Sequence, residues 1–163
     1  MNMEINKCYN ENCLDTMSKM PDGFIDLTVT SPPYDNLRTY NGYSFDFESV
    51  AKELFRVTKQ GGVVVWVVGD ATIKGSETGT SFKQALFFKE IGFNLHDTMI
   101  YRKNSLTFPD TNRYYQCFEY MFILSKGKPK TSNLLADKPN KQANKCVAGN
   151  NRDIDGSLKE MSG

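Results

Sequence analysis

Two short apolar runs, Ile25–Thr30 and Val63–Val68, flank a stretch whose apolar residues recur at helical spacing instead. Near-continuous runs of this length, bounded by Gly23 and prolines in the first case and preceded by glycines in the second, predict buried parallel strands. Between them Phe47, Val50, Ala51, Leu54 and Phe55 fall at i, i+3, i+4, i+7 and i+8, which predicts an amphipathic helix over Asp46–Lys59. Asp46 reads as its N-cap and Gly61-Gly62 as its stop. Strand, helix and strand at this spacing make a right-handed crossover in a parallel sheet, so the fold class is α/β.

Either side of that unit the pattern is weaker. Residues 5–9 read as a short strand, and Asn10–Met20 as a turn followed by a brief helix. Downstream, Ser81–Ile91 reads as a helix ended by Gly92, and Asn94–Arg102 and Gln116–Leu124 as strands that pair antiparallel. The polar, aromatic loop between those strands, Lys103–Tyr115, carries Arg113. Gly75–Ser81 superficially resembles a phosphate loop, but it has no Gly-Lys pair and follows its strand too late. From Gly127 onward the apolar periodicity gives way to lysine, asparagine, glycine and proline. The reading is a folded part over 1–130 and a basic, polar, flexible segment over 131–163, the start of a target-recognition or linker region.

The chain has 163 residues, 39% hydrophobic and 24% charged, with a net charge of +1. That suits one globular domain, and the gross charge does not announce a nucleic-acid binder. The distribution is uneven: residues 1–125 hold 12 Lys/Arg against 15 Asp/Glu, and residues 126–163 hold 8 against 4. A tail of that kind suits a phosphate backbone and equally suits a solvated end. No long apolar run or leader pattern is present, which favours the cytoplasm and no membrane partner. Four scattered cysteines and a single histidine, His96, argue against a zinc site or a secreted disulfide framework.

The chemistry concentrates where the first strand ends, at Ser31-Pro32-Pro33-Tyr34. Adjacent prolines fix φ near −65° and remove two backbone donors, so the strand must stop in a stiff turn. Such a turn suits alkylation of an exocyclic amine on a planar heterocycle. The amine's lone pair is delocalised into the ring, and acceptors placed along its N–H bonds draw the nitrogen towards a nucleophilic tetrahedral geometry. The Ser31 hydroxyl and the Pro32 carbonyl are candidate acceptors, and Tyr34 a stacking face worth roughly 1–3 kcal/mol for an unstacked base. A surface polyproline turn is the bland reading of the same residues.

Ser31-Pro32-Pro33-Tyr34, the lead-in Asn12–Met17 and Met20–Leu27, and the downstream segments Glu53–Gly62, Val65–Asp70 and Cys117–Lys126 together resemble the DNA amino-methyltransferases over about residues 5 to 130. That resemblance implies a Rossmann-like methyltransferase fold, with a mostly parallel sheet and helices on both faces, incomplete in this chain and ending in an antiparallel strand pair. It implies methyl transfer from S-adenosylmethionine to adenine N6 or cytosine N4 of a base flipped out of double-stranded DNA. Serine at the first motif position leans towards cytosine by family association, although the hydrogen-bond argument does not separate the two amines. Ser31, Pro32, Pro33 and Tyr34 are the implied catalytic residues. Asn12, where the family often has an acidic residue, and Ser31 are the implied donor-site residues. Arg38 and Tyr40 in the loop after the motif, with Lys103 and Arg113, are candidates for DNA contact, and Asp70 for either pocket lining or helix capping.

The family's glycine-rich donor motif is missing. The chain therefore reads as the catalytic-motif half of a longer protein in which that motif follows, and as weakly active or inactive alone. Two other readings stay open: a non-catalytic nucleic-acid-binding fragment, and a protein-glutamine methyltransferase relative, which usually has Asn in place of Ser31.

Overall fold

The computed structural model describes residues 4–33, 44–104, 112–114, 116–133, 150–152, 155 and 157–160. These fall into two compact units, Met1–Ser132 and Asn133–Gly163.

The first unit is built on α1 (Cys13–Ser18), β1 (Ile25–Thr30), α2 (Phe47–Val57), β2 (Thr58–Val68), a hairpin of β3 (Thr72–Ile73) and β4 (Ser76–Glu77), α3 (Thr80–Glu90), β5 (Asn94–Arg102) and β6 (Phe118–Ser125). Its main sheet has the order β1-β2-β6-β5. The crossover forms as expected: β1 and β2 pair in parallel. The other two pairings, β2 with β6 and β5 with β6, are antiparallel, so the sheet is mixed rather than mostly parallel. Residues 5–9 form no strand.

Three expectations change in physically informative ways. α2 does not run on to a glycine stop; it ends at Val57, and Thr58 is already extended. The last carbonyls of the helix find side-chain partners instead. The Thr58 hydroxyl donates to Leu54 O at 2.6 Å, and the Lys126 ammonium donates to Phe55 O at 2.7 Å and Thr58 O at 3.0 Å. That ammonium also lies 4.5 Å from the centre of the Phe55 ring, so a cation sits at the negative end of the helix.

Gly61 and Gly62 lie within β2, where its register with β1 jumps from Ile25↔Thr58 to Leu27↔Val63. Gly61 has φ +80°, and a Cβ there would come 3.1 Å from the Lys128 carbonyl oxygen. The glycines make a bulge, not a helix cap.

β1 is not buried on both sides. It is the edge of the sheet, with Leu27 58% and Val29 66% exposed. Ile25 packs against the core, whereas Leu27 and Val29 stand exposed. On the covered face Val64, Trp66, Val68, Phe122 and Leu124 meet Val50, Leu54 and Val57 of α2 and Ala85 and Phe88 of α3. Phe47 and Phe88 lie edge-on to each other at 5.4 Å, and Trp66 and Phe88 at 5.1 Å, locking both helices to one side. Met17 brings α1 into the same core. Among the described residues, all three helices thus contribute to the core of one face.

In the second unit β7 (Asn150–Arg152) pairs antiparallel with β8 (Leu158–Glu160), a hairpin the sequence did not announce. The Asp155 carboxylate accepts from Ser157 N at 2.9 Å and from its hydroxyl at 2.7 Å, a side-chain turn between the strands.

Candidate functional site

Ser31, Pro32 and Pro33 leave the carboxyl end of β1, where the chain must turn because neither proline can extend the ladder. Pro32 is buried, Pro33 half-buried and Ser31 exposed. These three residues border a hollow of ≈ 360 Å³ whose wall is completed by Cys13 and Met17 of α1, Thr28 and Thr30 of β1, Val50 and Leu54 of α2, and Trp66 of β2. A mostly apolar cavity of this size, with a few polar groups at its mouth, has the dimensions of a small-molecule site.

α1 reaches the hollow because both its ends are tied down. At its start the Asn12 Oδ1 accepts from Leu14 N at 3.0 Å, so that oxygen is the helix cap. The adjacent carboxylate does not replace the charge that Asn12 lacks. Glu11 folds back onto α1, accepting from Thr16 Oγ1 at 2.8 Å and Lys19 Nζ at 2.8 Å, and the Lys19 ammonium foremost holds its carboxyl below the usual range. At the other end Arg56 of α2 donates to Met17 O at 2.7 Å and Met20 O at 2.8 Å. Glu53 and Asp22 fix the same guanidinium at 2.7 Å each, and these two carboxylates raise its pKa further. Arg56 therefore positions one wall of the hollow without touching it.

The structure gathers Ser31, Pro32 and Pro33 at one cavity and puts Asn12 beside its wall residue Cys13. Lys103 lies away from them, ion-paired to Glu119. Arg113 donates to Thr72 Oγ1 at 3.2 Å and to Gly75 O, anchoring on the β3–β4 hairpin. Tyr34, Arg38 and Tyr40 lie outside the described residues. Asp70 resolves to a cap: its carboxylate accepts from Ser81 N at 2.9 Å and from the Ser81 hydroxyl, holding the first turn of α3.

Sequence reasoning missed Cys13, Met17 and Trp66 as lining residues and Gln84 altogether. Gln84 had a signal. Ser81, Gln84, Ala85 and Phe88 are the buried residues of α3, at i, i+3, i+4 and i+7, so two polar residues stand in an inward stripe. Asp70 accounts for Ser81, and the Trp66 indole N–H donates to Gln84 Oε1 at 2.8 Å.

The model of the DNA methylase family N6_N4_Mtase matches residues 25–157. The orphan methyltransferase M.BamHII of Bacillus amyloliquefaciens is 73% identical over 137 residues, which cover 83% of this chain and 52% of that protein. The type II methyltransferase M.MthZI of Methanothermobacter thermautotrophicus is 31% identical over 128 residues, covering 61% and 36% respectively. The chain thus spans about half the length of M.BamHII, and less of M.MthZI.

Among solved structures, the PvuII cytosine-N4-specific DNA methyltransferase aligns with a TM-score of 0.63 at 22% identity, over 76% of this chain and 50% of that one. TTHA0409 of Thermus thermophilus, complexed with S-adenosyl-L-methionine, aligns with a TM-score of 0.56 at 24% identity, over 79% and 56%. Both likenesses show a shared methyltransferase fold. A parallel strand that ends in Ser-Pro-Pro beside a cavity is consistent with that fold, and with a family model matched from the first residue of that strand almost to the chain's end, the chain belongs to the N6/N4 DNA methylase family.

Proposed function

We propose that the polypeptide to which these residues belong transfers a methyl group from S-adenosylmethionine to the exocyclic amine of adenine N6 or cytosine N4 in DNA. The observation that carries this is the Ser31-Pro32-Pro33 turn opening on the ≈ 360 Å³ hollow at the end of a parallel strand. The two acceptors of the turn, the Ser31 hydroxyl and the Pro32 carbonyl, receive the two N–H bonds of the amine. The stiff prolines hold them in register, so orientation comes from the fold and not from the substrate. Tyr34, next in the motif, stacks on the extruded base.

S-adenosylmethionine supplies an electrophilic methyl group on a sulfonium. The residues present fit the part of the donor next to that methyl: the hollow is mainly apolar, with the Thr30 and Ser31 hydroxyls at the turn. The sequence has no glycine-rich loop for the rest of the donor, and Asn12 gives its oxygen to a helix cap. The remaining donor contacts belong to the other half of a polypeptide as long as M.BamHII.

Two experiments test this. A polypeptide of that full length carrying this sequence will place radiolabelled methyl on adenine N6 or cytosine N4 of duplex DNA, and Ser31→Ala will lower the rate by roughly 10²-fold, the low end for a positioned proton acceptor. Label on cytosine carbon-5, or none, would overturn the assignment. Calorimetric titration of S-adenosylmethionine into the 163-residue chain will show no micromolar binding. Tight binding would mean that these residues alone complete a donor site.

A further inference from the structure

β5 ends the main sheet on the side away from β1, and among the described residues no strand pairs its outer edge. The backbone phase of that edge is fixed. Lys103 N donates to Cys117 O at 2.7 Å, so by antiparallel alternation Met99 and Tyr101 also spend their backbone groups on β6. Thr98, Ile100 and Arg102 therefore turn N–H and C=O outward. Natural sheets blunt such edges with charge, proline or a bulge. Here the bulge between Leu95 and Asp97 and the charges of Asp97 and Arg102 lie towards the two ends, and Thr98-Met99-Ile100-Tyr101 between them is uncharged.

An apolar patch adjoins this bare stretch. Ile100 stands opposite Tyr120 in the ladder and shares its face, and Tyr120 meets the Phe82 ring of α3 at 5.1 Å and the Phe118 ring at 5.4 Å. Leu86 follows Phe82 by one helical turn. Ile100, Phe82 and Leu86 are 52%, 50% and 60% exposed. Clustered apolar surface beside an open strand edge marks a protein interface.

The sequence of the edge selects its occupant. We propose that β5 pairs with β5 of a second copy of this chain, antiparallel about a two-fold axis at Ile100. In that register Ile100 lies against Ile100, Met99 against Tyr101, Thr98 against Arg102 and Asp97 against Lys103, each pair formed between the two copies. All the outward N–H and C=O groups of Thr98, Ile100 and Arg102 are then bonded, and Asp97 meets a cation that already pairs with Glu119. A slip that centres Met99 instead would set Asp97 against Tyr101 and His96 against Arg102, losing the charge match, and a slip of odd size would turn side chains to the wrong face. The joined sheet carries both α3 helices on one side, so the Phe82 and Leu86 patches flank the Ile100 pair. Because β1 is at the other edge of the sheet, both Ser31 turns stay open in the dimer.

Sedimentation of the 163-residue chain over a wide range of concentration will show a reversible dimer. Amide hydrogen exchange reads the register: the Ile100 amide will be slow in the dimer and fast on dilution, while Met99 and Tyr101, bonded to β6, stay slow in both. Ile100→Lys, an exposed change that sets like charges at the axis, will give a monomer with unchanged circular dichroism. Asp97→Lys will weaken the dimer roughly tenfold, since the two-fold axis doubles the loss of one ion pair. Leu27→Ser, on the far edge strand, will leave the dimer intact. A chain that is monomeric at every concentration, or a dimer that survives Ile100→Lys, would overturn the proposal. So would a polypeptide as long as M.BamHII that is monomeric with Ile100 protected at every dilution, because its other half would then cover the edge.

Discussion

The two faces of the main sheet differ more than their sequences do. On one, Trp66 is 1% exposed and Leu124 0%, sealed by helices; on the other, the equally apolar Leu27 and Val29 stand 58% and 66% exposed. Hydrophobicity alone therefore does not make a core residue here; a partner element does. An apolar run can read as buried on both sides while the described residues bury only one.

The strongest way to break this contrast is to attack the covered face. Trp66→Ala removes a ring packed against Phe45, Phe47 and Phe88 and leaves Gln84 unpaired. It should cost about 3–5 kcal/mol, read as a lower denaturant midpoint. Next comes the tie that brings α1 onto that face. Arg56→Ala orphans two carbonyl oxygens and two carboxylates and should cost about 2–3 kcal/mol, with Arg56→Lys recovering only part.

A smaller effect comes with acid. The Arg56 guanidinium holds the Glu53 carboxyl below its ordinary value, so the pair contributes stability at neutral pH that is lost as pH falls through the lowered value. Thermal unfolding should show that acid loss, and Glu53→Gln should flatten it. The smallest effect should fall on the open face, where Leu27→Ser should stay within about 0.5 kcal/mol. A loss of several kcal/mol there would mean that a partner element covers β1 in solution.

What the sequence made legible follows from how local each cause is. The Asp46 cap, the α2 stripe and the span of β5 depend on neighbouring residues and were readable; Asp46 does accept from Ser49 N at 3.2 Å. The turn at Ser31 was readable because two prolines dictate it. The end of α2 was not, because the Lys126 cation that satisfies its carbonyls lies 71 positions away from Phe55. The exposure of β1 was hidden for a similar reason: which face of a strand is covered depends on where α2 and α3 pack, and not on the strand's own residues. Gln84 was missed because the residue that orients it, Trp66, belongs to a different element. Local chemistry marked the Ser-Pro-Pro turn, whereas the pairing of distant elements made the cavity beside it.

The strand order carries a consequence for how this chain comes into being. β6, made after every other strand of the main sheet, pairs with both β2 and β5 and so sits between them. Until residue 125 has been synthesised, the crossover unit and β5 each present an unpaired backbone edge, joined only through the side chains of α3. Closing the sheet then costs the entropy of a long loop in one late step. A chain stopped before β6 should therefore not be a slightly smaller version of this unit. It should keep two open, aggregation-prone strand edges, and a ribosome pausing ahead of residue 118 would hold the chain at its most vulnerable stage.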